Sequence, residues 1–233
     1  MPTRLLVVGL DSAEPLLVRK WASEGHLPTL SRLCELQQIA VENFPGFGNG
    51  VFWPSLNTGG DPSFHGRYYR RQLRPPAYSL EPFEEDSDMK LAPFWAALEA
   101  DGLEVAVVDP VETGICHLSH GLEIVRWMAH GRTGPPKSSP VNAIGDLIAR
   151  YGDDPFQGNS DLAIKNGLKL EDVIEVSRRR IETKTMAMLE LLGNRDWDMF
   201  YVTFADPHDI GHLAWHLHEQ IETGKDNSEI PVD

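Results

Sequence analysis

Leu5-Leu6-Val7-Val8-Gly9-Leu10-Asp11-Ser12 places a short apolar run, β-branched at its centre, almost at the start of the chain and ends it in a carboxylate and a hydroxyl. The run from Arg4 to Gly9 reads as a buried strand, and Asp11-Ser12 as the turn and N-cap that start a helix. Working outward, Leu16, Leu17, Trp21, Leu27, Leu30 and Leu33 recur at mostly helical spacing, with Gly25 and Pro28 dividing two helices. A second strand is expected over 39–44, a tight loop over 45–50, and a short helix from Val51 to Asn57 that stops at Thr58-Gly59-Gly60. Residues 61–92, with many prolines and two charge patches, read as an irregular excursion. Beyond it the pattern predicts helix 94–100, strand 105–109, strand 122–127 and helix 141–151. A loop over 152–167, a long amphipathic helix over 170–192 with Arg178-Arg179-Arg180 in solvent, and a strand over 198–205 follow. Apolar strands alternating with helices predict an α/β fold: a mostly parallel sheet covered by helices on both faces, in a single domain over 1–233.

Composition narrows the classes. The 233 residues carry 21 Lys+Arg against 35 Asp+Glu, a formal net charge of −14, which argues against a nucleic-acid duplex as partner because phosphates must be neutralised by cations. An anionic substrate in such a chain needs a metal or a local arginine cluster. Cys34 and Cys116 are too few to frame a disulfide scaffold or a zinc ribbon and read as reduced core thiols. No apolar run reaches the ~18–20 residues of a membrane span and no leader pattern precedes Leu5, so a cytoplasmic location is the expectation. No internal repeat is visible.

In parallel sheets ligands bind beyond the carboxyl ends of the strands. The polar residues there are Asp11, Asn49, Asp109 and the group Asp206, His208, Asp209 and His212. The last group is the densest signal, because four of the nine histidines fall between 208 and 218. His208 and His212, four apart, can face one ion on a helical turn, and imidazole with carboxylate suits zinc, manganese or iron; the plainer alternative is a polar helix start capped by Asp206 or Asp209. Asp11 could hold a cation above the sheet, cap the next helix, or both. The Gly46/Gly48/Gly50 loop is either an anion-receptive corner of backbone N–H groups or a turn that needs positive φ. His65-Gly66-Arg67-Tyr68-Tyr69-Arg70-Arg71 is either a pocket rim that grips an anionic or ring-bearing substrate, or a surface loop neutralised by the acids at 81–86. Trp127-Met128-Ala129-His130-Gly131-Arg132, which follows a strand, leaves the same two options open.

The order of the pieces carries more than any one of them. Leu5 to Asp11, Gly25-His26-Leu27-Pro28-Thr29-Leu30, Trp53-Pro54-Ser55-Leu56-Asn57-Thr58-Gly59 with Pro62 and His65-Gly66, and the Asp/His/Gly/His run before Trp215 together resemble the type I phosphodiesterase and nucleotide pyrophosphatase branch of the alkaline phosphatase superfamily. The resemblance implies a two-metal hydrolase of phosphate esters, phosphodiester or nucleotide-like, and a chain that is the N-terminal part of a longer alkaline-phosphatase-like domain. It implies divalent metals, zinc first with manganese or magnesium as alternatives, held by Asp11, Asp206, His208 and His212. His65, Arg67 and Arg70 are the candidates for holding the small-molecule phosphate ester. Asn49 falls where the family carries its Ser or Thr nucleophile, nine residues before Thr58, and His208 falls where it carries a carboxylate. The family's later Asp-His-Gly motif and C-terminal histidine have no counterpart. An amide cannot form a phospho-enzyme, so a water activated on a metal or a catalytically inactive binding protein are the two readings that follow.

Overall fold

The computed structural model describes residues 4–36, 39, 50–132, 134–158, 160 and 167–224. Its main sheet contains β1 (Leu5–Leu10), β4 (Val105–Val108), β5 (Leu122–Val125), β6 (Lys137–Ser139) and β7 (Met199–Phe204), in the spatial order β1-β7-β4-β5-β6. The pairs β1/β7, β7/β4 and β4/β5 are parallel, and only β6 runs antiparallel, at the edge. Register follows the period of two: Met199 and Tyr201 of β7 face one side with Val105 and Val107, while Phe200 and Val202 face the other with Ala106 and Val108.

Helices cover both faces. The first side is closed by α6 (Phe94–Ala100), whose Trp95 is fully buried beside Tyr201. The second is closed by α7 (Ala143–Tyr151) and the long α8 (Leu170–Gly193), through Leu147, Ala187 and Met188 against Ile124, Phe200 and Val202. Each such large apolar side chain taken from water contributes ~1.5–3 kcal/mol, so these two layers are what hold the strands in register. The remaining helices are α1 (Pro15–Ser23), α2 (Pro28–Cys34), α3 (Phe52–Thr58), α4 (Pro62–His65), α5 (Glu85–Asp88) and α9 (Asp206–Thr223). Prolines open α1, α2 and α4, and α3 stops at Gly59, which takes the left-handed φ of 68°.

Several expectations need correction. β1 is a strand, but Leu5, Leu6 and Val8 are each more than half exposed, and among the described strands β1 pairs with β7 alone. The 61–92 excursion is less irregular than its composition suggests, since it holds α4, the antiparallel hairpin β2 (Arg71–Arg74) and β3 (Ser79–Pro82), and α5. β6 has only three residues and no apolar pattern, which is why it does not register in the sequence. Arg180 is not on the solvent face of the long helix but fully buried. Of the expected strand over 39–44 only Ile39, and of the glycine loop over 45–50 only Gly50, fall among the described residues. Neither Cys34 nor Cys116 is in a disulfide, and both are half-buried. No helix among the described residues is long and apolar enough to cross a membrane.

Candidate functional site

Three parallel strands deliver side chains to one rim. β1 ends on Leu10 and hands on Asp11; β7 ends on Phe204 and runs into α9, whose first turn carries Asp206, His208 and Asp209; β4 ends on Val108 and hands on Asp109. The loop that follows β5 brings His130 to the same place. Asp11 is buried, and its Oδ1 accepts a 2.7 Å hydrogen bond from Trp53 Nε1 of α3. Its Oδ2 lies 3.0 Å from His208 Nδ1 yet outside hydrogen-bond geometry, so that buried oxygen has no hydrogen bond among the described residues. His208 Nδ1 instead shares its hydrogen bond with Ser12 Oγ at 2.9 Å. Ser12 holds this position with a left-handed φ of 54°, unusual for a residue with a Cβ.

The other edge of the His208 ring meets His212: the two Nε2 atoms are 2.9 Å apart, as positions four apart on α9 allow. His130 stacks on His208 with ring centroids 3.7 Å apart, and its Nδ1 is 2.9 Å from Asp209 Oδ1. Burial alone would lower the His208 imidazole, but the Asp11 carboxylate at its Nδ1, with Asp209 and Glu112 nearby, outweighs that and holds it above its ordinary value.

Beneath these rings lies a buried ionic layer that sequence reasoning missed. Arg180 Nη1 sits 3.1 Å from Asp206 Oδ1 and 3.0 Å from Asp209 Oδ2, and Arg180 Nε is 3.1 Å from Asp154 Oδ1. Lys184, also fully buried, reaches Asp109 Oδ2 at 2.5 Å and donates to the Thr203 carbonyl at 2.6 Å. Asp109 in turn accepts the backbone N–H groups of Trp127 and Met128, which fixes the loop that presents His130. Burial opposes ionisation of Asp209, but His130 and Arg180 overcome it and hold its carboxyl below the usual range; for Asp206 burial wins and its carboxyl lies above that range. Arg180 and Lys184 stand one helical turn apart on the inner stripe of α8, a spacing visible in the sequence; what is not visible is that the stripe lies over a row of strand-end acids.

The candidates therefore separate. Asp11, His208 and His212 are brought together at the rim of a cleft of about 1090 Å³, walled by Phe52, Trp53 and Trp215. Asp206 is not with them: its Oδ1 is committed to Arg180 and its Oδ2 is buried without a hydrogen bond. His65 is fully buried rather than facing a substrate; its Nδ1 accepts the Arg67 N–H, so Nε2 carries the proton and meets Ser55 Oγ at 3.0 Å. Arg67 is buried too, its Nη1 and Nη2 each 2.8 Å from Glu85 and Glu112. Arg70 lines the cleft. Asn49 lies outside the described residues.

Do these residues suit metal ions? Asp11, His208 and His212 cannot hold one ion together as they stand, because Asp11 meets Nδ1 and His212 meets Nε2 of the same ring. Among the described residues no group of three or more His, Cys, Asp or Glu is arranged to hold a metal. They do suit two separate, partial donor sets. Asp11 Oδ2, which faces His208 Nδ1 at 3.0 Å without a hydrogen bond among the described residues, is one, and the paired Nε2 atoms of His208 and His212 are the other, close to the ~3.3 Å spacing that two Zn–N bonds of ~2.0–2.1 Å make at a tetrahedral angle.

No family model matches the chain, and no curated protein matches it in sequence. Two solved structures share its fold: phosphonoacetate hydrolase from Sinorhizobium meliloti 1021 in complex with phosphonoformate and in complex with phosphonoacetate. They align with TM-scores of 0.56 and 0.58 at 20% identity, covering 88% and 89% of this chain. The chain spans about half the length of those proteins, 47% of each. The fold is thus shared with those structures: a mostly parallel sheet between helical layers.

Proposed function

We propose that this chain supplies part of the centre of a hydrolase acting at phosphorus, on small-molecule phosphate esters of phosphodiester or nucleotide-like type. The observation that carries the reading is the meeting of Asp11 with His208 and His212, from opposite ends of the sequence, at the carboxyl rim of β1 and β7. Asp11 would hold one divalent cation and His208 with His212 the other, zinc first, with manganese or magnesium as alternatives. Such cations neutralise phosphoryl oxygens and lower the pKa of bound water.

The chain's own residues prepare that corner. Ser12 and Asp11 occupy Nδ1 of His208, which fixes the tautomer and leaves Nε2 as the donor atom toward His212. Stacking by His130, itself tethered to Asp209, stops the ring from turning. Trp53 holds Asp11 by Oδ1, so a cation would take Oδ2, the oxygen that faces His208 Nδ1. Phe52, Trp53 and Trp215 give the cleft aromatic walls that suit a ring-bearing ester.

The same scaffold could recognise an anion without turnover, and Asn49 at the nucleophile-equivalent position favours that second reading. Titrating zinc, manganese and magnesium, then assaying bis(p-nitrophenyl) phosphate with each, separates the two. Metal binding that His208→Ala and His212→Ala each weaken, with metal-dependent turnover, supports the hydrolase. Metal and phosphate binding without turnover, even after Asn49→Thr, supports the binder, and absence of metal binding would sink both.

A further inference from the structure

The His130 imidazole is built into the rim more firmly than a supporting ring requires. Its Nδ1 lies 2.9 Å from Asp209 Oδ1, and the other oxygen of that carboxylate lies 3.0 Å from Nη1 of the fully buried Arg180. Arg180 is held in turn by Asp154, 3.1 Å from its Nε. A carboxylate fixed by a buried guanidinium accepts hydrogen bonds and does not donate them, so Nδ1 carries the His130 proton and Nε2 the lone pair. Among the described residues that nitrogen has neither a hydrogen bond nor an ion pair. His130 lines the same cleft as Asp11, His208 and His212, and Nε2 is the ring nitrogen left to meet a ligand there. A carboxylate behind an imidazole is also the usual support of a metal-ligating histidine, because it fixes the tautomer and raises the basicity of the far nitrogen. The stack on His208 adds a spacing: the ring centroids are 3.7 Å apart and the planes 27° from parallel. Lone pairs in two such planes do not converge on one ion at Zn–N distances of ~2.0–2.1 Å. They suit two ions side by side, and the ring separation matches the ~3.5–4 Å between the metals of two-metal sites.

We infer that His130 is a third imidazole donor of this rim, supplying Nε2 to the cation that Asp11 Oδ2 would hold while His208 and His212 serve the other. The inference rests on the two-cation reading above and strengthens its weaker half, since Asp11 Oδ2 by itself offers one oxygen and the histidine pair offers two nitrogens. His208 stands between the two halves, facing Asp11 Oδ2 through Nδ1 at 3.0 Å and His212 through Nε2 at 2.9 Å, so a ring stacked on it borders both. One carboxylate oxygen with one neutral imidazole suits zinc better than magnesium, which takes oxygen ligands. The segment that carries His130 is fixed from below, where Asp109 accepts the N–H groups of Trp127 and Met128.

Calorimetric titration with zinc, with the visible absorption of bound cobalt(II) as a second readout, tests this on His130→Ala and His130→Phe. Phenylalanine keeps a ring on His208 and removes the nitrogen. The expected result is two zinc sites in the wild type, one of which both variants weaken by at least about tenfold while the other stays within about twofold. His212→Ala weakens that other site instead, and His130→Phe changes the cobalt spectrum as a nitrogen ligand is lost. No loss of affinity in His130→Phe, or an equal loss at both sites, shows that the ring only supports His208; that overturns the inference and leaves the two-cation reading standing. A wild type that binds one zinc ion or none removes that reading and the inference with it.

Discussion

Replacing Lys184 by Met tests whether the ionic layer under the rim is what holds the site in place. Lys184 and Asp109 are fully buried, and the ammonium also serves the Thr203 carbonyl. Removing one partner of a buried pair costs about 3–5 kcal/mol, because the other charge stays behind in a poor solvent for it. Two features place Lys184→Met at the lower end. Methionine fills most of the lysine volume, so little cavity opens, and Asp109 keeps the Trp127 and Met128 N–H groups at 2.7 and 2.9 Å. The expected loss is about 3 kcal/mol, read by urea unfolding at pH 7 with an unchanged slope. Adding Asp109→Asn removes the stranded charge, and the double variant should regain at least about 1 kcal/mol over Lys184→Met alone. A loss below about 1 kcal/mol, or a double variant that is merely the sum of its singles, would show that the pair does not carry the rim.

Glu99 is buried, which opposes its ionisation, but the N–H groups of Ser119, His120 and Gly121 outweigh burial and hold its carboxyl below the usual range. Because the folded value is depressed, its contribution is present above the unfolded carboxylate range and is lost as pH falls through the folded value. Glu99→Gln should therefore cost about 1–2 kcal/mol at pH 7 and progressively less in acid; a pH-independent difference in unfolding curves contradicts this. Gly9 leaves no room for a side chain, since a Cβ there would lie 2.9 Å from Thr203 Oγ1 and 3.0 Å from Trp53. Gly9→Ala should destabilise by about 1–3 kcal/mol and shift Trp53, seen as a change in tryptophan fluorescence; a neutral variant argues against this packing. Trp53→Phe removes the donor on Asp11 Oδ1 and should weaken metal binding about tenfold or more in a zinc titration while leaving the unfolding midpoint nearly unchanged, and equal affinity would take Trp53 out of the site.

Much of the architecture is legible in local pattern. Apolar strands such as 105–108 and 199–204 can only be buried on both faces, and that demands a parallel sheet between helices. β1 has the same composition but lies at the edge of the sheet formed by the described strands, and neighbours, not composition, decide exposure. The histidine pair on α9 was legible because spacing of four on a helix is a local property. The partition of the acids was not: Asp206 and Asp209 stand three residues apart, yet both turn toward Arg180, and Asp206 takes no part in the histidine corner. His65 and Arg67 looked like a substrate rim because cationic and aromatic residues cluster there, but both are buried, His65 against Ser55 and Arg67 against the distant Glu85 and Glu112.

By itself the sequence determined where strands end and which polar residues follow them, since backbone period and apolar content act over a few residues. That placed Asp11, His208 and His212 at one rim. Only the tertiary structure decided which charges satisfy each other there and which stay open, because burial removes water as a partner and makes every buried charge choose among groups brought from distant segments. Arg180 and Lys184 rise from α8 to claim Asp109, Asp206 and Asp209, and what is left at the rim is the run of contacts from Asp11 through His208 to His212.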